Sequence, residues 1–562
     1  MLNFRRLINI SKVLPLILIS TSAVAQQGPS PDAAATWLSI LPPMLAIAFA
    51  LALKRVIPAL FVGIWLGAWI INGLSVEGLW TGLLESFQVY VLHALADSDH
   101  AAIILFSLMI GGMVGIISRN GGMQGIVNYI VSWADSVRHA SLATATMGLA
   151  IFFDDYANTL VVGNTMRPVT DAKRISRQKL AYIVDSTAAP VTCIALITTW
   201  IGYEVGLIGD SLSRMTGLDE EAYLLFLKTV PYSFYPVMAI CFVFMIAWTG
   251  RDFGPMLAAE RHARIHGVIE DEHLAENQQN DSAPIQPMPG KPQRAINAVL
   301  PILVLVVAVV TGLYVTGKAA IDVEDPGLQD IIGAADSYKA LMWASFLAML
   351  TATFMTLGQR ILDLEETLDA WYRGLRSMLL ALIILILAWS LGEVTEILRT
   401  ADFLVSVLGD TIPPFTLPVL IFLLAAATAF ATGSSWGAMG ILIPLVMPLT
   451  WAVMQAQGMD GVEHMHILYS SISAVLAGAV WGDHCSPISD TTILSSLASG
   501  CDHIEHVRTQ LPYAMLVGMV SLLAGSLPVA MGMPWWLGMS VGIVILGVLL
   551  RFIGTRSDVA AA

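Results

Sequence analysis

Apolar runs of roughly 17–25 residues, the length that crosses about 30 Å of hydrocarbon, follow one another along most of the chain and alternate with short polar loops. They predict helices throughout: an all-α polytopic membrane protein with about 11 full spans. Four stretches break the pattern by carrying polar residues in the middle of an apolar segment. Residues 140–166 contain Asp154, Asp155, Asn158, Thr159 and Asn164; residues 180–208 contain D-S-T-A-A-P, Asp185 to Pro190, with Ser186 beside the carboxylate. Residues 415–450 contain A-T-G-S-S-W-G with Ser434 and Ser435, and residues 467–498 contain W-G-D-H-C-S-P-I-S-D-T-T with Asp483, His484, Ser486, Pro487, Asp490 and Thr491. Each charge at the centre of a bilayer costs about 2.5–3.5 kcal/mol, so such residues mark a functional site. A proline removes a backbone donor and interrupts a helix, which frees carbonyls for an ion.

Composition agrees with the pattern: 56% of the 562 residues are apolar and 12% charged, far from a soluble domain. The formal charge of −14 sits largely in loops, and nothing favours a nucleic-acid partner. Four cysteines without paired spacing predict no disulfide, and the grouping of His484, Cys485, Cys501 and His503 lacks a C-x-x-C pair, so no transition metal is expected. No cofactor motif or nucleophile arrangement is present, and an enzyme is not expected.

Residues 1–25 carry Arg5, Arg6 and Lys12, a short apolar core and Ala23-Val24-Ala25, the parts of a signal peptide or, if retained, of a signal anchor. The chain beyond it then starts outside a bacterial inner membrane, and the bias of Lys and Arg toward the inner face fixes the remaining crossings and leaves the C-terminus cytoplasmic. Residues 140–166 have Arg138 on one flank and Arg167, Lys173, Arg174, Arg177 and Lys179 on the other. Both flanks inside means a re-entrant hairpin entering and leaving by the same face. Residues 415–450 read as a second hairpin entering from outside, and 180–208 and 467–498 as broken transmembrane helices. The expected units are a first membrane repeat at 37–249, a polar cytoplasmic linker at 250–294, a second repeat at 295–533 and an extra span with its tail at 534–562. Residues 361–376, amphipathic with Arg373 and Arg376, are expected along the inner surface.

The two halves match in order. Arg119 and Arg399 lie 280 positions apart, as do M-R-P-V-T and V-M-P-L-T; that register sets Asp154 and Asp155 opposite Ser434 and Ser435. K-T-V-P-Y at 228–232 resembles R-T-Q-L-P-Y at 508–513, and D-S-T-A-A-P resembles D-H-C-S-P, pairing Asp185 with Asp483 and Pro190 with Pro487. Corresponding crossings run in opposite directions, so the repeat is inverted. Inverted repeats built from interrupted helices belong to secondary transporters, which bind their cargo near the midplane and alternate access.

F-F-D-D-Y-A-N-T-L-V-V-G-N-T-M-R-P-V-T-D at 152–171 and G-D-H-C-S-P-I-S-D-T-T at 482–492 resemble the NhaC-type sodium/proton antiporter family of the ion-transporter superfamily, and the resemblance covers most of 37–533. It implies sodium and protons as cargo, two inverted repeats each with a re-entrant hairpin and a broken helix, an elevator-like transport domain and a homodimeric scaffold. Members of such families also carry small organic anions such as malate and lactate, or amino acids. Sodium favours oxygen ligands. Carried onto this chain, the resemblance implies Asp185 and Asp483 as the core pair that binds Na+ or H+ competitively. Asp154, Asp155 and Asp490 stand next, and oxygens come from Asn158, Thr159, Ser186, Ser434, Ser435, Ser486 and Thr491. Two alternatives stay open on chemical grounds: Asp154 and Asp155 as helix caps rather than ligands, and His484 as a pH sensor rather than a hydrogen-bond partner of a neighbouring carboxylate. An organic anion would call for a cationic contact, for which Arg167 is the nearest candidate.

Overall fold

The computed structural model describes residues 36–557 apart from positions 54, 133, 219, 268–284, 322–326, 328–330, 332–333, 401, 404–406 and 408–411. The signal segment, the middle of the linker and most of the acidic loop after position 321 lie outside the described residues.

The helices that position the site run in chain order as α1 (Leu41–Leu53), α2 (Val56–Ile71), α3 (Ser98–Arg119), α4 (Val137–Ala150), α5 (Asp155–Ala172), α6 (Arg177–Ser186), α7 (Ala189–Ile194), α8 (Ile201–Ser213), α9 (Phe234–Thr249) and α10 (Gly254–His266). They continue as α11 (Ile296–Ala320), α12 (Ser337–Gly358), α13 (Leu364–Ile397), α14 (Leu417–Thr432), α15 (Ser435–Ala456), α16 (Met465–Cys485), α17 (Asp490–Ser499), α18 (His503–Val520) and α19 (Trp535–Ile553). Among the described residues, 9 helices are long and apolar enough to cross a membrane, or 10 if the bent pair Ala222–Tyr232 and Phe234–Thr249 counts as one span. That is fewer than the 11 read from the sequence, because α1 and α2 are short and the broken segments divide into pieces below spanning length.

The helices fall into two packed groups. α1, α2, α3, α11, α12 and α13 pack on one another; α4, α5, α6, α14, α16 and α17 form the second group; α15 lies between them, and α8 packs on α3, α13 and α15. Close approach is made by small residues: a Cβ on Gly115 would stand 2.2 Å from the Ala370 carbonyl, and one on Gly374 2.1 Å from that of Gly111.

Several boundaries differ from the expectation. The stretch 361–376 is not a separate surface helix: Asp363 caps α13 in a capping box with Glu366, and the helix runs unbroken for 34 residues, about 51 Å at 1.5 Å each. The described start of the linker is helical. Its α10 packs on α6 and α18, with Glu260 buried and accepting from Ser176 N and Oγ, both at 2.7 Å. A two-residue strand, Arg251–Asp252, pairs with Thr555–Arg556. After α2 the chain forms a further helix at Val76–Glu85, capped by Ser75.

The interrupted segments are resolved in detail. Residues 140–166 lie in α4 and α5, which pack together across a break at 151–154, and 415–450 in α14 and α15 across Gly433 and Ser434. Asp154 caps α5 through the Ala157 N–H, and Ser434 caps α15 through that of Gly437; both donor and acceptor pairs stand in the 280-residue register. Residues 180–208 are interrupted twice, at Thr187-Ala188 and again over 195–200, whereas 467–498 has one break, at 486–489. Two matches fare less well. The left-handed residue ending α3 is Gly121 and its counterpart after α13 is Arg399, a spacing two short of 280. V-P-Y at 230–232 bends the chain into α9, while Pro512 lies inside a continuous α18.

Candidate functional site

The breaks meet. A small cleft is lined by Asp155 and Tyr156 at the start of α5, Gly433 to Trp436 at the start of α15, Asp483 at the end of α16, Asp490 and Thr491 at the start of α17, and Trp200 from the second interruption of 180–208. Helix N-termini bring partial positive charge to the cleft and helix C-termini partial negative charge. Gly433 adopts φ 68°, and a Cβ there would fall 2.4 Å from the Ile488 carbonyl, so the two breaks approach where only glycine fits.

Neighbouring carboxylates do different work. Asp154 is a cap: its Oδ1 accepts from Ala157 N at 2.7 Å. Asp155 is held by the Trp200 indole, Nε1 donating to Oδ1 at 3.1 Å, and its buried Oδ2 has no hydrogen-bond partner among the described residues. Asp483, 3% exposed, accepts from the Thr491 hydroxyl at 2.6 Å through Oδ2. Asp490 faces outward from the first turn of α17, and the guanidinium of Arg55, just before α2, lies close enough to act on its charge. Three carboxylates thus converge on one cleft, and none of its lining residues is basic.

Asp185 does not line the cleft. It is fully buried behind α17, where its Oδ2 accepts from Thr492 Oγ1 at 3.1 Å and from Gln510 Nε2 at 2.6 Å, with His506 Nε2 at 4.0 Å. Consecutive threonines of α17 therefore hold the two aspartates that the sequence pairs, Thr491 on Asp483 and Thr492 on Asp185.

Other sequence candidates serve the frame. Asn158 donates to Gly148 O at 2.7 Å, Ile151 O at 3.1 Å and Thr187 O at 2.9 Å, tying both breaks together, and only its Oδ1 is left over. Thr159 is buried with an unsatisfied hydroxyl, and Ser186 is buried at the end of α6. Pro190 occupies the first turn of α7, where its missing N–H costs nothing. Ser435 donates to Ala479 O at 3.3 Å and Ser486 to Phe430 O at 2.7 Å. His484 does not bond a carboxylate: its Nδ1 pairs with the Tyr235 hydroxyl at 2.9 Å. Pro487 offers its carbonyl to His503 Nε2 at 2.6 Å. Arg167 lies against Gly500, away from the cleft lining.

Trp200, Thr492, Gln510 and His506 are absent from the candidates read in the sequence. A tryptophan inside an apolar run carries no signal of its own. His503, His506 and Gln510 do: spaced three and four apart, they share one face of a helix.

The model of the Na+/H+ antiporter family matches residues 191–526. The chain is 33% identical over 482 residues to an uncharacterized protein of Haemophilus influenzae, covering 85% of this chain and 88% of that one. It is 36% identical over 118 residues, 20% of this chain and 23% of the other, to an uncharacterized Na(+)/H(+) antiporter of the same organism. In three dimensions it is similar to the YdaH transporter of Alcanivorax borkumensis, with a TM-score of 0.54 at 14% identity over 85% of this chain and 90% of that one. That likeness concerns the fold.

Proposed function

The chain belongs to the Na+/H+ antiporter family, and from that premise we propose that it exchanges sodium for protons by alternating access, with Asp155, Asp483, Asp490 and Thr491 holding the cation. The observation that carries this reading is the cleft between the helix breaks, with three carboxylates and no basic side chain in its lining. Buried carboxylates need a compensating charge. A bare sodium ion ligated by carboxylate and hydroxyl oxygens supplies it, and so does a proton on the carboxylate; each removes the reason for the other to bind. Asp483 is the centre of this exchange, since it is buried and is held by the hydroxyls of Thr491 and Ser489.

In this reading α4 with α5 and α14 with α15 are re-entrant hairpins of two inverted repeats. The group containing α5, α16 and α17 carries the ion across the membrane, and the α3, α12 and α13 group is the scaffold of a homodimer in a bacterial inner membrane. The units are those of the sequence: repeats at 37–249 and 295–533 joined by the linker, with the C-terminus inside. An organic anion is not favoured, because no basic side chain lines the cleft, the nearby Arg55 is engaged with Asp490, and Arg167 lies elsewhere.

Purified protein in vesicles loaded with a pH dye tests the exchange. External sodium is expected to make the interior more alkaline, and Asp483→Asn is expected to abolish the signal. Wild-type vesicles that show no sodium-dependent pH change would overturn the proposal.

A further inference from the structure

The buried Asp185 is joined to the protein surface by a continuous row of hydrogen-bonding side chains. Gln510 spends its amide N–H groups on Asp185 Oδ2 at 2.6 Å and on His484 O at 2.8 Å, which leaves its Oε1 to accept from His506 Nε2–H at 3.0 Å. His506 therefore presents a bare Nδ1 to Ser496 Oγ, 2.8 Å away. The same hydroxyl lies 3.1 Å from His503 Nδ1 and 2.7 Å from the Thr492 carbonyl, so its single proton has alternative acceptors. His503 anchors its Nε2–H on Pro487 O at 2.6 Å, and it is half-exposed where His506 is fully buried.

We propose that His503, Ser496 and His506 form a proton relay that loads and unloads Asp185, separate from the cation cleft; this rests on the exchange reading above. The protonated His503 gives its Nδ1 proton to the Ser496 oxygen as Ser496 gives its own to His506 Nδ1. His506 then passes its Nε2 proton to Asp185 Oδ2. One proton leaves His503 and one arrives on Asp185: two N–H bonds and one O–H bond break, one N–H bond and two O–H bonds form, and there is no redox change. The last transfer spans 4.0 Å, and a swing of the His506 ring by about 1 Å away from Gln510 Oε1 brings it into hydrogen-bond range. Imidazole and hydroxyl suit the task because each donates and accepts, and an imidazole changes charge near neutral pH.

Among the described residues, Asp502, Glu505 and Arg508 flank His503 on its own element, Arg508 paired with Glu505 at 3.0 Å. Asp185 is near Asp483, Cys485 and Tyr235, and His506 is near Asp185 and His503. The row leaves the protein at the end of α17 and α18 that carries Arg508, which the basic-residue bias assigns to the cytoplasm. Thr491 and Thr492 connect proton to cation: a proton on Asp185 alters the hydrogen bond of Thr492, the residue next to the one that holds Asp483.

The test compares two modes of transport in the same vesicles. Sodium-for-sodium exchange needs no proton, whereas sodium-for-proton exchange does. His506→Gln and Ser496→Ala are expected to slow sodium-for-proton exchange at least about tenfold while sodium-for-sodium exchange continues, Ser496→Thr restores the first mode, and the wild-type rate of that mode falls in D2O. Ser496→Ala decides the matter if His506→Gln fails to fold. Equal loss of both modes, or normal proton exchange in folded variants, overturns the relay alone. A wild type that moves no protons with sodium overturns the exchange reading, and the relay with it.

Discussion

Asp154 and Asp155 are adjacent in the chain and have separate tasks, which single substitutions can distinguish. Asp154 caps α5 as Ser434 caps α15, so Asp154→Ser is expected to keep exchange within about threefold of wild type, whereas Asp154→Ala loses about 0.5–2 kcal/mol of stability in thermal unfolding. Asp155→Asn and Asp483→Asn are expected to lower the initial rate of sodium-driven proton movement by about a hundredfold or more. Strong loss in Asp154→Ser with an intact fold would make Asp154 a ligand. The carboxylates were legible in the sequence because charge inside an apolar run is costly and conspicuous. What they touch was not: Trp200 looks like any apolar residue, and the separation of Asp185 from Asp483 by the Thr491-Thr492 pair depends on how α17 packs between α5, α6 and α16.

Helix breaks set the cleft, and their geometry gives the next test. Gly433 needs φ 68° and has the Ile488 carbonyl 2.4 Å from where a Cβ would be, whereas Gly458, at φ 67°, has nothing within 4 Å. Gly433→Ala is therefore expected to lower the thermal midpoint more than Gly458→Ala, which carries only the backbone penalty of about 1–2 kcal/mol. Similar midpoints for the two variants would mean that the breaks are not in tight contact. Breaks were readable from Pro, Gly and small polar residues at 185–190, 433–435 and 486–487. The second interruption at 195–200 was not, because its threonines follow an apolar stretch without proline or glycine. Nor was the continuity of α13, since the charged first half and apolar second half of an unbroken helix look like a surface helix followed by a span.

Taken whole, the molecule is a multi-pass membrane protein in which interrupted helices gather around an acidic cleft and longer helices pack beside them. Competition between sodium and protons predicts how transport responds to pH. In the proposed exchange sodium binds the ionised carboxylate, so its affinity is full above the pKa of that group and falls as pH drops through it. The apparent sodium KM, measured without a pH gradient, is expected to rise toward tenfold per pH unit on the acid side while the limiting rate holds. A KM independent of pH across the active range would argue for independent sites. Proton release on sodium binding tests the central claim most directly, using detergent-purified protein, a weak buffer and a pH dye. The account predicts that sodium releases protons from wild type and that Asp483→Asn abolishes the release; sodium binding without proton release, or release undiminished in Asp483→Asn, would contradict it.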